Sequence, residues 1–301
     1  MSETKDYRII STVPSIQKFA KYHHDTYPSI SPSLSKDHLT SKSVVITGAS
    51  KGLGQATALS FAKAGCSKIA LCARSPLTSL TQSILLAAKE AGHPPPEIIT
   101  AQVDVTSQSD VESFANQVAD KFKTVDILIN NAGYLEEWRI LGNSQPDEWW
   151  KTWEVNLKGT YLITKFFLPL LLPSSNKTIL NLSSNGAHAG SSGASAYQIS
   201  KMAVCRLTEY ISNEYHNQGV VVMAVHPGGV MTELAKGMPE HMHGLLVDTP
   251  ELGGDAMVWF GRERREWLSG RYVCVNWDVE ELEAKKKEIV EGDLLKFRIT
   301  I

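Results

Sequence analysis

One stretch near the start of the chain limits its fold more than any other. Ser43 to Thr47 is a short run of apolar and β-branched residues that ends at Gly48, and GASKGLG follows over residues 48–54. A helical pattern then continues through Ala64 and stops at Gly65. An apolar run bounded by a glycine turn reads as a strand buried on both faces, which belongs in a parallel sheet covered by helices. Glycines between a strand and a helix let backbone amides and the helix N-terminus approach a pyrophosphate. The spacing here is GxxxGxG rather than GxGxxG. A tight turn with no ligand is the alternative reading of this motif taken alone.

The pattern repeats. Lys68–Cys72, Glu97–Val103, Asp126–Asn130, Ile179–Leu182, Val220–Val225 and Arg271–Val275 read as further strands. Between them, Leu77, Leu80, Ile84, Leu85 and Ala88 recur at helical spacing, as do Val111, Phe114, Val118 and Phe122 behind a capping start at Ser107 and Asp110. Helices are also expected over 145–161, from the Tyr197 region to about Asn217, and over 251–265. Alternating strands and helices predict an α/β fold: one domain built on a doubly wound parallel sheet. Asp278 and Glu281 fit a capping start for a last, solvated helix, with i,i+4 pairs Glu281–Lys285 and Glu283–Lys287. We expect an irregular N-terminal arm over residues 1–40, a core domain over 41–275 with a substrate lid at 229–250, and a helical tail over 276–301.

Charge excludes some partners. Thirty Lys and Arg against 32 Asp and Glu leave a net charge of -2, which offers no field for nucleic acid or an anionic membrane. No basic start followed by an apolar run suggests a signal peptide. Cys66, Cys72, Cys205 and Cys274 form no CxxC pair, so they read as small buried hydrophobes in a reducing, cytoplasmic setting, with no metal site expected. His241 and His243 lie two apart, without evident further ligands.

The chemistry-bearing stretch is residues 183–201, where Tyr197 and Lys201 stand four apart behind Ser184. On a helix such a pair shares one face. An ammonium roughly 4 Å from a phenol, at an effective dielectric near 20, is worth about 4 kcal/mol. That predicts a tyrosine pKa lowered by up to roughly three pH units, and hence a proton donor or acceptor near neutral pH. At the end of the second strand, Ala73 stands where dinucleotide folds carry an acid for the ribose of NAD, and Arg74 follows. Arg74, aided by Lys51, suits a 2′-phosphate, which favours NADP over NAD. Asn156, in VNLKG, sits mid-helix, where asparagine is mildly unfavourable.

Together TGASKGLG (47–54), NNAG (130–133), Asn156, Ser184, YxxxK (197–201) and PGGVMT (227–232) resemble the short-chain dehydrogenase/reductase family, in order and spacing, from about Ser43 to Val275. The long arm and the charged tail depart from its common form. The resemblance implies a Rossmann-like fold and an NADP-dependent oxidoreductase interconverting a ketone and a secondary alcohol. It implies that Tyr197 is the general acid or base and that Lys201 lowers its pKa and holds the nicotinamide ribose. Ser184, favoured over Ser183 by spacing, would bind the substrate oxygen, and Asn156 would hold a water in a proton relay. Gly48, Ser50, Lys51, Gly52, Leu53 and Gly54 would cradle the phosphates, with Arg74 near the 2′-position. Asp104 and Val105 would meet the adenine, and Asn131, Ala132 and Gly133 the ribose and sheet end. Pro227, Gly228, Val230 and Thr232 would meet the nicotinamide end, with Val230 and Thr232 orienting its carboxamide. Tyr134–Trp138, His188 and residues 229–247 would shape a pocket for a mostly apolar carbonyl compound, such as a secondary metabolite. The family implies a homodimer or homotetramer. Two alternatives stay open on sequence alone: a non-redox isomerase, dehydratase or cyclase on this scaffold, and a nucleotide-binding protein without chemistry.

Overall fold

The computed structural model describes residues 19–299. Seven strands, β1 Ser43–Thr47, β2 Lys68–Ala73, β3 Glu97–Gln102, β4 Ile127–Asn130, β5 Thr178–Leu182, β6 Val221–His226 and β7 Arg271–Cys274, form one sheet. Every pairing is parallel, in the order β3-β2-β1-β4-β5-β6-β7. Side chains alternate across β1: Val44 and Ile46 enter the apolar layer that holds Phe61 and Trp259, whereas Val45 enters the one that holds Phe114 and Phe167. The first layer is covered by α1 (Gly52–Lys63), α2 (Thr78–Glu90) and α7 (Pro250–Arg262); the second by α3 (Gln108–Phe122) and α5 (Gly159–Leu171). Helices α4 (Pro146–Trp153), α6 (Ser195–Glu214), α8 (Val279–Ala284) and α9 (Lys286–Glu291) complete the principal helices among the described residues. No helix there is long and apolar enough to cross a membrane.

The strand order reverses beside β1, whose neighbours are β2 and β4. Connections leaving the carboxyl ends of these strands diverge there and open a crevice, the place where open α/β sheets bind ligands.

Three elements differ from the sequence expectation. The helix expected over 145–161 ends as α4 at Trp153, passes through a π-turn over Glu154–Lys158, and resumes as α5 to Leu171 with Pro169 inside it. The C-terminal helix breaks at Lys285 into α8 and α9. Its expected ion pairs give way to tertiary partners: the Glu281 carboxylate accepts the Lys21 backbone N–H at 2.8 Å, and Glu283 faces Arg265 at 3.6 Å. The arm, from residue 19 onward, is packed down. Tyr22 bridges Trp277, Thr249 N–H donates to His24 O at 3.0 Å, and Ile30 and Leu39 are fully buried. Residues 1–18 of the expected arm lie outside the described residues.

Candidate active site

The glycine turn is built from two sides. Gly48 has φ +65°, and a Cβ there would stand 2.8 Å from Ala132 Cα. A Cβ on Gly54 would stand 2.5 Å from Gly48 O and 2.6 Å from Asn131 Nδ2. Asn131 belongs to the turn as much as to β4: its amide donates to Thr47 O at 2.8 Å and to Gly48 O at 3.1 Å, while Thr47 Oγ1 accepts the N–H groups of Asn131 and Ala132. With side chains excluded, backbone and the start of α1 face a cleft of about 500 Å³ along the carboxyl edge of the sheet.

That cleft joins most of the residues singled out from sequence. Arg74, Asp104 and Val105 line one end, residues 48 and 50–54 the middle, and Asn131, Ala132, Gly133, Tyr197, Lys201, Pro227 and Thr232 the rest. The bare glycine turn at a helix N-terminus fits the pyrophosphate of a dinucleotide. Gly228 and Val230 are not among the lining residues, and neither are Asn156 and Ser184, whereas Ser183 is. Gly228 (φ +89°) turns the chain against Asp248, whose carboxylate accepts Gly229 N–H at 2.5 Å, and buried Val230 bridges Asp248. Both shape the loop from behind.

At the other end, α6 presents Tyr197 in its first turn and Lys201 one turn on. Lys201 Nζ lies 5.6 Å from the Tyr197 ring centroid and donates to Leu182 O at 2.8 Å. The two serines after β5 differ. Ser183 Oγ is committed to Lys201 O at 3.0 Å and lies 3.1 Å from Cys205 Sγ. Ser184 Oγ accepts Gly186 N–H at 3.1 Å, and its hydroxyl acts on the Tyr197 phenol by favouring the ionised form.

Asn156 sits fully buried in the π-turn. Its Oδ1 accepts Tyr134 N–H at 2.8 Å, and its Nδ2 donates to Tyr134 O and Ser200 Oγ, both at 3.0 Å. Ser200 Oγ in turn donates to Tyr197 O at 2.7 Å. The side chain therefore bonds backbone and neighbouring side chain, tying the loop after β4 to α6. A Cβ on Gly133 would lie 3.5 Å from Asn156 Oδ1 and 3.8 Å from Lys201 Nζ, so these groups converge around Gly133.

The electrostatics of the pair run against the sequence expectation. Burial raises the Tyr197 phenol above its usual value; the Ser184 hydroxyl draws it down, and the charge of Glu136 pushes it up. Burial lowers the Lys201 ammonium to about 8. Burial thus opposes the charged form of each group, and the phenol is raised rather than lowered. Pairwise attraction alone omitted the desolvation that both groups share. Burial also lowers His188 and His226 to about 4, so both rings are neutral at physiological pH. His226 Nδ1 accepts Asn185 N–H at 3.2 Å.

Sequence reasoning placed Glu136 only within the pocket-shaping stretch 134–138, without its contact to α6, and passed over Ser200. A signal for the first was present: Ala194 precedes α6 and has no side-chain acceptor for the first N–H groups of the helix. Ser200 carried no such signal. Among the described residues, no cluster of three or more His, Cys, Asp or Glu is placed to hold a metal.

A family model described as short chain dehydrogenase matches residues 42–243. The Monascus ruber protein named short chain dehydrogenase citE is 49% identical over 282 residues, covering 94% of this chain and 96% of that protein. Short chain dehydrogenase andI of Emericella variicolor is 42% identical over 279 residues, 93% and 94% of the two chains. Among solved structures, levodione reductase superposes with a TM-score of 0.71 at 23% identity, over 79% of this chain and 97% of that one. An NADH-dependent reductase complexed with NAD gives 0.67 at 22% identity, over 79% and 96%. At such identities these structures speak for the fold alone.

Proposed function

This chain belongs to the short-chain dehydrogenase family, and we propose that it is an oxidoreductase transferring a hydride between NADP(H) and a ketone or secondary alcohol. The observation that carries the reading is the placement of Tyr197 and Lys201 one turn apart on α6, Nζ 5.6 Å from the phenol ring centroid, both lining a cleft that opens on a bare glycine turn. The bound nicotinamide supplies the hydride. Tyr197 gives its proton to the carbonyl oxygen in reduction and takes it back in oxidation. Ser184 donates to the same oxygen as charge builds there. Lys201 has three donors, and the one spent on Leu182 leaves two for the ribose hydroxyls. Asn156 holds Tyr134 and Ser200 in place around this centre and borders the route by which a water relay reaches Lys201.

The remaining cofactor contacts follow the cleft. Ser50, Lys51 and Leu53 face the phosphates, Asp104 and Val105 the adenine, Asn131 to Gly133 the ribose, and Thr232 the carboxamide. NADP is favoured because Ala73 leaves no carboxylate at the end of β2, while Arg74 and Lys51 are exposed and line the cleft. The substrate is mostly apolar, as a secondary metabolite often is. Ile140 and Leu141 from the loop after β4, and Met231, Leu245 and Val247 from the proposed lid, present exposed apolar side chains. Exposed Trp150, Tyr161, Ile199, Met202 and Tyr210 on α4, α5 and α6 suit a second copy of this chain, giving a homodimer or homotetramer. The four free, buried cysteines suit the cytoplasm.

Loss of NADPH absorbance is followed against a panel of apolar ketones, with products analysed in parallel. Consumption matched by alcohol formation is expected. Conversion of a compound without nucleotide turnover would instead place the chain among isomerases, dehydratases or cyclases, and nucleotide binding with no conversion would mark an inactive relative.

A further inference from the structure

Glu136 lies in the loop between β4 and α4 and is 5% exposed. Both of its carboxylate oxygens stand 3.1 Å from the backbone N of Tyr197, and Oε2 also accepts from Thr152 Oγ1 at 3.2 Å. Helix α6 begins at Ser195, and its N-cap, Ala194, makes no side-chain hydrogen bond. The first N–H groups of a helix have no partner within it, and a carboxylate there meets both the orphan donor and the positive end of the helix dipole. The cap that Ala194 cannot give is supplied by another element, on the N–H of the residue whose phenol lines the cleft.

Two more bonds join the same segments. Arg139 N–H donates to Gly193 O at 2.7 Å, and Trp149 Nε1 donates to Ser195 Oγ at 3.0 Å. The other charges nearby are engaged elsewhere. Arg139 pairs with Glu137 at 2.7 Å, and Lys151 with Glu148 at 3.2 Å beside the Tyr134 hydroxyl. From α6 itself, Lys201 faces the Tyr197 ring, and Cys205 near it stays a thiol, pushed up to about 12 by burial. From the loop after β5 come the neutral Ser184 and, further on, the neutral His188. Glu136 is thus the buried carboxylate acting on this phenol.

We propose that Glu136 is a positioning residue for Tyr197: it caps the helix from the pocket loop and sets the fixed charge that the phenol experiences. The proposal rests on Tyr197 as the acid–base group. It has two separable consequences. The cap fixes where the phenol points, which governs kcat. The negative charge opposes a phenolate, so the phenol stays protonated over a wider pH range and remains a donor toward a carbonyl.

The test uses the full chain in three variants. Tyrosine labelled at Cζ reports each phenol by NMR, and the Tyr197 resonance is identified by its loss in Tyr197→Phe. In Glu136→Gln, which removes the charge and retains an acceptor, the Tyr197 midpoint falls, and the alkaline decline of kcat/KM for carbonyl reduction moves to lower pH with it. In Glu136→Asp, which keeps the charge and shortens the reach, kcat falls roughly tenfold or more while the midpoint stays nearer the wild type. An unchanged midpoint and profile in Glu136→Gln would overturn the proposal, because a merely structural role lowers stability without moving either. If Glu136→Gln does not fold, Glu136→Asp decides: unaltered kcat there overturns it. Full turnover in Tyr197→Phe would sink the functional reading instead, and the midpoint comparison would still stand.

Discussion

Replacing Lys201 with methionine separates what the buried ammonium does for the reaction from what it costs the fold. Lys201 is 4% exposed, and burial lowers its pKa from 10.5 to about 8. At about 1.36 kcal/mol for each pH unit, holding the charged form in the folded protein costs about 3 kcal/mol near neutral pH. The sign follows from linkage. Between about pH 8 and 10.5 the unfolded chain binds more protons at this site than the folded one, so wild-type stability rises with pH through that window. Lys201→Met removes this dependence and leaves the other titrating groups in place. Methionine fills a similar volume but leaves Leu182 O without its donor, which costs about 1–3 kcal/mol at every pH. The stability of the variant relative to wild type therefore drops by roughly 2–3 kcal/mol on going from about pH 7 to about pH 10. Urea unfolding of both cofactor-free proteins, followed by tryptophan fluorescence at the two pH values, measures that change. A stability difference that stays constant with pH would refute the reasoning, whatever its size. Turnover is lost in the variant throughout, as expected where a site sacrifices stability for function.

Other outcomes are expected elsewhere in the cleft. Arg74→Glu repels a 2′-phosphate, so kcat/KM for NADPH falls by roughly a hundredfold relative to NADH; equal losses with both cofactors would contradict the assigned role. Gly54→Ala forces a methyl against Gly48 O and Asn131 Nδ2, and thermal unfolding should show a loss of about 3 kcal/mol or more. An unchanged melting temperature would mean that the turn is looser than its contacts imply.

What the sequence revealed was local. Ser43–Thr47 reads as a strand because both faces are buried, and Gly48 reads as a turn because the chain there needs positive φ. Four of the six motifs, TGASKGLG, NNAG, Ser184 and PGGVMT, follow β1, β4, β5 and β6, where a parallel strand hands over to its crossover, while Asn156 and YxxxK are carried by helical segments. What stayed hidden depends on partners remote in sequence. The π-turn forms where Asn156 bonds Tyr134 and Ser200, and helical periodicity carries no trace of that. Glu136 falls in the stretch read as pocket wall, and its bond to the start of α6, whose N-cap is an alanine, has no trace in local spacing. Glu281 and Glu283 carry sound i,i+4 spacing, yet Lys21 and Arg265 hold them. The Tyr197–Lys201 pair was placed correctly on one helix, but its electrostatics were misjudged, because burial outweighs the attraction between the two groups.

The central claim is that the Tyr197 hydroxyl carries the proton while the cleft alone holds the nucleotide. Tyr197→Phe removes that single oxygen. Fluorescence titration with NADPH, paired with turnover of a ketone that the wild type reduces, reads both halves at once. The account predicts affinity within about threefold of wild type and turnover reduced by roughly a thousandfold or more. Turnover near the wild-type rate, or loss of nucleotide binding along with it, would contradict the account.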